Sequence, residues 1–339
     1  MMQSKARITG MGIYTPKQKL TNDHLKEMVD TSDEWIVQRT GMKERRIAGE
    51  GEYTSTLAIR AVENLLNRYA VEIEDVDAII VSTTTPDHFF PSVACQIQDY
   101  FHIDQAAAFD LSAACAGFTY GLHVANGLVT SGLHKKILVI GAEVMSKITD
   151  YTDRATCVLF GDGAGAMLVE YDEHNPSFLG CHYGTDGSGG VNLYRSNLSN
   201  TLSGKEINSS GNLVQNGREV YRFAVRTIPK GVEALLKNTS ISLSDVNWFI
   251  PHSANLRMIE AICAKTGVTM DKTLTSVQYC GNTSSASIPL ALNEGIMTGK
   301  VQGNDLLILY GFGGGLTHCG LLIKWTCKEK AKKLKGVAF

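Results

Sequence analysis

Residues 110–121 read Asp-Leu-Ser-Ala-Ala-Cys-Ala-Gly-Phe-Thr-Tyr-Gly. A strand expected over residues 107–111 runs into small residues and then a helix, which puts Cys115 at a strand-to-helix junction. A helix N-terminus presents free N–H groups and the positive end of the peptide dipole. Both favour the thiolate, the nucleophilic form of cysteine. Small neighbours would let a substrate carbonyl approach the sulfur and expose backbone donors to an oxyanion. The commoner fate of a cysteine is burial as a small hydrophobe. Cys157, Cys263 and Cys319, in apolar runs, and Cys95, in a helical stretch, are read that way.

A second segment runs Trp248-Phe249-Ile250-Pro251-His252-Ser253-Ala254-Asn255-Leu256-Arg257. It places His252 at the carboxyl end of a short strand, where α/β folds gather ligand and catalytic groups. A third, Cys280-Gly281-Asn282-Thr283-Ser284, sets Asn282 in a glycine-introduced turn before a helix. Asparagine is often only a cap there. His88, in Pro86-Asp87-His88-Phe89-Phe90-Pro91, is an alternative base. Spacing alone does not bring Cys115, His252 and Asn282 together. Gly311-Phe312-Gly313-Gly314-Gly315 lacks the Lys-Ser/Thr of a phosphate loop, and Gly161-x-Gly163-x-Gly165 lacks the dinucleotide spacing. The first glycine run could instead turn a backbone N–H towards a substrate carbonyl.

The elements that must position these groups repeat at an offset of 170 residues. Val62-Glu63-x-Leu65-Leu66 recurs as Val232-Glu233-x-Leu235-Leu236, and Ile137-Leu138-Val139-Ile140-Gly141 as Leu307-Ile308-Leu309-Tyr310-Gly311. Each half reads as helix then strand, which implies an α/β fold with helix-covered sheets. Expected helices cover 116–131, 217–237 and 284–298, and expected strands 78–81, 137–141 and 306–310. The halves divide at 1–174 and 175–339. Residues 175–217, rich in Gly, Ser and Asn, read as a long excursion, and a basic tail is expected from about 326.

With 339 residues, 44% hydrophobic and 19% charged, the chain exceeds the usual limit of one core and is not disordered. A net charge of -2 argues against a general nucleic-acid binder. No apolar run suits a signal peptide or a membrane span, so a cytoplasmic protein is expected. None of the eight cysteines forms Cys-x-x-Cys, and no metal site is expected.

Together these pieces resemble the β-ketoacyl-acyl-carrier-protein synthase III family, from about Ile8 to Trp325. The resemblance rests on Asp30-Thr31-Ser32-Asp33-Glu34-Trp35-Ile36, Ala114-Cys115-Ala116-Gly117-Phe118, Pro251-His252-x-Ala254-Asn255-Leu256-Arg257, Gly281-Asn282-Thr283-Ser284 and Phe312-Gly313-Gly314-Gly315. It implies a thiolase-like fold, two α/β halves layered αβαβα as a pseudo-dimer. It implies acyl transfer from acyl-coenzyme A to Cys115, then decarboxylative condensation with malonyl-acyl-carrier protein, starting fatty-acid synthesis. By the same resemblance His252 and Asn282 support decarboxylation, and the backbone N–H groups of Cys115 and Gly314 form the oxyanion hole. Trp35 and Arg154 sandwich the adenine of coenzyme A, with Thr31 and Arg39 nearby. Phe90 closes the acyl pocket across a homodimer interface. No cofactor is implied beyond coenzyme A as substrate.

The carrier protein is acidic, so its docking face should be basic. Arg218, Arg222, Arg226 and Lys230 recur every four residues, and Arg257 and Lys265 extend the set. Arg257, Arg222 and Lys265 are the expected contacts. The sequence departs from the family pattern at Ala155, Tyr221 and His318, in a longer 191–213 stretch and in residues 326–339. Rival readings are a coenzyme A-thioester condensing enzyme of secondary metabolism, a cysteine-dependent thioester hydrolase and a silent scaffold.

Overall fold

The computed structural model describes residues 3–329. The first sheet has the order Ala6–Tyr14, Asp162–Tyr171, Lys136–Val144, Ala78–Ser82, Ala107–Leu111. The last three pair in parallel, and Asp162–Tyr171 is antiparallel to both neighbours. The second sheet has the order Phe178–Thr185, Thr317–Lys324, Leu306–Gly313, Trp248–Pro251. The last two are parallel, and Thr317–Lys324 is antiparallel to both neighbours. The second sheet thus copies the first strand for strand. Only the fifth strand is missing, reduced to one parallel bridge between Phe249 and Thr273. Ala78–Ser82 and Lys136–Val144 each begin 170 residues before their counterparts Trp248–Pro251 and Leu306–Gly313.

Alternation along the strands sorts the core into layers. Ala78, Ile80, Ile137 and Val139 face the middle, with Ile250, Leu307 and Leu309 from the other sheet. Between them lie the helices Gly117–Thr130 and Ser287–Met297, buried on both sides and therefore apolar nearly all round. Ile79, Val81, Leu138 and Ile140 face the other way, onto helices Thr54–Arg68 and Val93–Tyr100. Phe249, Ile308 and Phe312 face helices Gly217–Thr239 and Leu256–Thr266. The result is the αβαβα layering of a thiolase-like fold.

Two glycines set how closely the halves meet. A Cβ at Gly141 would lie 2.7 Å from the Ser285 carbonyl oxygen, and one at Gly311 would lie 2.8 Å from the Ala116 Cα. These glycines are 170 apart, and each receives the start of the opposite half's central helix.

Two expectations change. Residues 175–217 are not wholly an excursion, because Phe178–Thr185 is a paired strand of the second sheet. Its sequence, Phe-Leu-Gly-Cys-His-Tyr-Gly-Thr, has no β-branched residue before the last and two glycines, so the strand signal from Phe and Tyr is diluted. The tail expected from about 326 begins attached. The Thr326 hydroxyl and Cys327 thiol both donate to the Ile8 carbonyl oxygen. The remainder of that tail, from Lys330, lies outside the described residues. Among the described residues no helix is long and apolar enough to cross a membrane.

Gly141→Ala should lower stability by about 1–3 kcal/mol in urea unfolding, because backbone, not a flexible side chain, stands in the way. Gly127→Ala, in an exposed helical position with nothing within 4 Å of the new Cβ, should raise it by about 0.4–1 kcal/mol.

Candidate active site

Cys115 lies in a single turn of 3-10 helix, Ala114–Ala116, that opens directly into Gly117–Thr130. The turn is tight. Ala114 takes φ 46°, and a Cβ at Gly117 would fall 1.7 Å from the Ser82 Oγ. Gly313 backs the sulfur, since its Cβ would lie 2.7 Å from the Cys115 Cβ and 3.0 Å from Sγ. The thiol is buried, and desolvation pushes its pKa up to about 12. The Ser284 hydroxyl and the Cys115 N–H pull it back down, and Glu143 adds to the rise. The expectation that the helix start favours thiolate is therefore corrected. In the unliganded protein, burial is the dominant influence on the sulfur, which rests as a thiol.

Ser284 starts the matching turn, Ser284–Ala286, with φ 48°. Between the two turns sits Glu143, fully buried on Lys136–Val144. Its Oε1 accepts from the hydroxyls of Ser284 (3.0 Å) and Ser285 (3.2 Å). Its Oε2 accepts from the Thr84 N–H (3.0 Å) and the Thr85 hydroxyl (2.7 Å). Burial raises the Glu143 pKa, and these donors oppose the rise. Sequence reasoning missed Glu143. A glutamate inside Lys-Ile-Leu-Val-Ile-Gly-Ala-Glu-Val was the available signal.

His252 follows Trp248–Pro251, and its N–H donates to the Tyr310 carbonyl at 2.8 Å. Its Nδ1 is 2.7 Å from the Ser287 Oγ, and its ring meets Phe312 edge-on at 5.3 Å. The imidazole is 1% exposed, and desolvation pushes its pKa down to about 3. It is neutral at physiological pH. Asn282 is held through its backbone. Its N–H donates to Leu159 O at 2.8 Å, and its carbonyl accepts from the Gly161 N–H at 3.0 Å. Its Oδ1 accepts from the Ser284 N–H at 2.9 Å, which fixes the amide and leaves the NH₂ as its free end. Arg45, also missed, is wholly buried beneath this loop. Its Nε donates to Val158 O at 2.9 Å, and a Cβ at Gly281 would lie 2.8 Å from its Cγ.

Cys115, His252, Asn282 and Gly314 line one cavity of about 860 Å³. Trp35, Arg39 and Arg257 line it too, as does a two-stranded ribbon of Leu193–Arg195 and Leu213–Gln215. The remainder of the excursion thus supplies a wall. Arg154 stacks over the Trp35 ring at 5.0 Å and donates to Asp30 O at 3.0 Å. The Thr31 Oγ1 nearby is buried without a partner. Phe90, 87% exposed, and His88 lie apart, lining a hollow that shares only Arg195 with the main cavity. The structure does not bring His88 to the sulfur. Arg222 and Lys265 line a third hollow with Arg226. Arg222 pairs with Glu219 (2.7 Å) and Arg257 with Glu260 (3.0 Å), exposed pairs of little strength. Tyr221 joins the cavity wall, whereas His318 is buried against the Tyr310 hydroxyl at 3.0 Å. Among the described residues no cluster of three His, Cys, Asp or Glu could hold a metal.

A duplicated αβαβα fold with a cavity lined by residues of both halves is the arrangement of the thiolase-like condensing enzymes. Sequence models of 3-oxoacyl-[acyl-carrier-protein] synthase III match residues 109–187, and those of its C-terminal part match 236–325. A β-ketoacyl-[acyl-carrier-protein] synthase III 2 of Bacillus cereus is 61% identical over 324 residues, 96% of this chain and 99% of its own. The crystal structure of the synthase III from Thermus thermophilus, 43% identical, superimposes with a TM-score of 0.91 over 94% of this chain and 99% of its own. The priming β-ketosynthase of the R1128 polyketide pathway is 33% identical, with a TM-score of 0.88 over 95% and 96%. The chain belongs to the β-ketoacyl-[acyl-carrier-protein] synthase III family.

The resting thiol has a direct readout. Alkylation of Cys115 by iodoacetamide, followed on its peptide by mass spectrometry, should accelerate about tenfold per pH unit between pH 7 and 10. A plateau below pH 9 would contradict a neutral thiol. His252→Ala should leave the profile in place, because a neutral imidazole offers the sulfur no charge.

Proposed function

We propose that Cys115 carries the acyl group, and that His252 and Asn282 stabilise the enolate formed when the malonyl unit loses carbon dioxide. The reaction class follows from the family. The chain is a condensing acyltransferase that initiates fatty-acid synthesis by decarboxylative Claisen condensation. One observation carries the residue assignment: a nucleophile from one half and two neutral hydrogen-bonding groups from the other share one desolvated cavity.

In the first step the Cys115 sulfur adds to the thioester carbon of acyl-coenzyme A. The thiol rests protonated, so its proton leaves as the carbon–sulfur bond forms and ends on the departing coenzyme A sulfur. The oxyanion points to the N–H groups of Cys115 and Gly314. In the second step the malonyl carbon–carboxylate bond breaks, and its electron pair moves into the thioester to give an enolate. The His252 Nε2–H and the Asn282 NH₂ donate to that oxygen. Because both donors are neutral and pre-placed, they gain strength in low dielectric as negative charge develops. The enolate carbon then attacks the acyl carbon, and the Cys115 sulfur leaves as a thiolate that takes a proton from water to restore the resting thiol.

Trp35 and Arg154, with Thr31 and Arg39, are proposed to hold coenzyme A at the mouth. Arg257, Arg222 and Lys265 are proposed to receive the acidic carrier protein. A homodimer, in which Phe90 closes the partner's acyl pocket, is supported by the free edge of Ala107–Leu111 and by the exposure of Phe89 and Phe90. Action in the cytoplasm belongs to the same proposal. The boundary near 174 is kept because the first sheet ends at Tyr171 and the second begins at Phe178.

The test is intact-protein mass after incubation with a panel of acyl-coenzyme A thioesters. One acyl adduct should form and disappear in Cys115→Ala. Its absence with every donor, in folded protein, would refute Cys115 as acyl carrier. Release of free acid without malonyl-carrier protein would instead mark a hydrolase. Asn282→Ala should acylate normally yet lose about a hundred- to thousandfold in condensation, the usual effect of removing one such donor.

A further inference from the structure

Ser287 is the first residue of the central helix Ser287–Met297 and is fully buried. Its Oγ lies 2.7 Å from His252 Nδ1 and accepts from the Ser253 N–H at 3.3 Å. Two further bonds hold it in place. The Ser276 hydroxyl donates to the Ser287 carbonyl at 3.1 Å, and the Ser276 N–H donates to the Ser253 Oγ at 3.0 Å. Ser253, Ser276 and Ser287 therefore form a dry frame around one side of the imidazole, none of them more than 4% exposed.

A serine hydroxyl has one proton to give. The Ser253 N–H already occupies a lone pair of the Ser287 oxygen, and Nδ1 is the only acceptor within reach of that proton among the described residues. Nδ1 must then be bare, and a neutral ring with a bare Nδ1 carries its proton on Nε2. Nε2 makes no hydrogen bond to the described residues, and His252 lines the cavity. We infer that Ser287 is a positioning residue: it donates to Nδ1 and so locks His252 as the Nε2–H tautomer, a standing donor towards substrate. The inference rests on the reading of His252 as a hydrogen-bond donor. Burial supports it, since a ring held neutral has no freedom left except the choice of tautomer. The consequence is that His252 is built to give a hydrogen bond and not to take the Cys115 proton.

The experiment is ¹⁵N NMR of histidine-labelled protein, with the His252 signals assigned by their loss in His252→Gln. The parent should show protonated Nε2 and bare Nδ1. A protonated Nδ1, or an imidazolium, would overturn the inference, and the tautomer itself is read on the parent protein. Ser287→Ala should shift His252 towards the other tautomer and lower condensation at least tenfold. Acylation of Cys115 should stay within about twofold, a split that general damage to the site would not give. Ser287→Thr, which keeps the hydroxyl, should restore both the signal and condensation. A Ser287→Ala protein with unchanged tautomer and full condensation would sink the inference alone. Full condensation by His252→Ala would sink the underlying reading of His252 instead.

Discussion

A buried carboxyl group, in no ion pair among the described residues, ties the two halves of this enzyme together at its centre. Glu143 rises from a strand of the first half and accepts hydrogen bonds from Thr84 and Thr85 on its own side and from Ser284 and Ser285 across the seam. A buried carboxyl group is tolerated only when its lone pairs are filled, so its oxygens dictate where those hydroxyls stand. They in turn fix the turn that carries Asn282, whose Oδ1 accepts from the Ser284 N–H. The glycines at 141 and 311 then set the distance between the halves. Catalytic geometry here is mostly a consequence of how two copies of one motif are forced against each other.

The same burial sets the electrostatics. The Cys115 thiol is pushed up, the His252 imidazole down, and neither is charged in the resting protein. A thiolate–imidazolium pair would need both shifts reversed. A neutral site suits a reaction whose charge appears only in passing, first on a tetrahedral oxygen and then on an enolate.

Much of this was legible in the residues. Cys115 between small neighbours, His252 after a buried strand and the 170-residue repeat all follow from spacing and periodicity, and the helices at 116–131 and 284–298 appear within a few residues of the observed bounds. What was not legible is tertiary. The thiolate expectation failed because the helix-dipole argument is local, whereas desolvation depends on what the other half places overhead. Phe178–Thr185 carries two glycines and no Val or Ile, which weakens its strand signal, and it pairs along the edge of Thr317–Lys324. The alternative role for His88 needed only the fold to settle it, since that loop opens onto a different hollow.

The two strained turns, at Ala114 with φ 46° and Ser284 with φ 48°, mirror each other across the seam. Ser285 occupies in the second half the place that Cys115 holds in the first. The fold therefore has two nucleophile elbows but one sulfur, and the second elbow bears a hydroxyl turned inward to Glu143. The duplicated unit thus presents a thiol in one copy and a hydroxyl in the other. Neither copy can now drift alone, because a change in either elbow is felt by its twin.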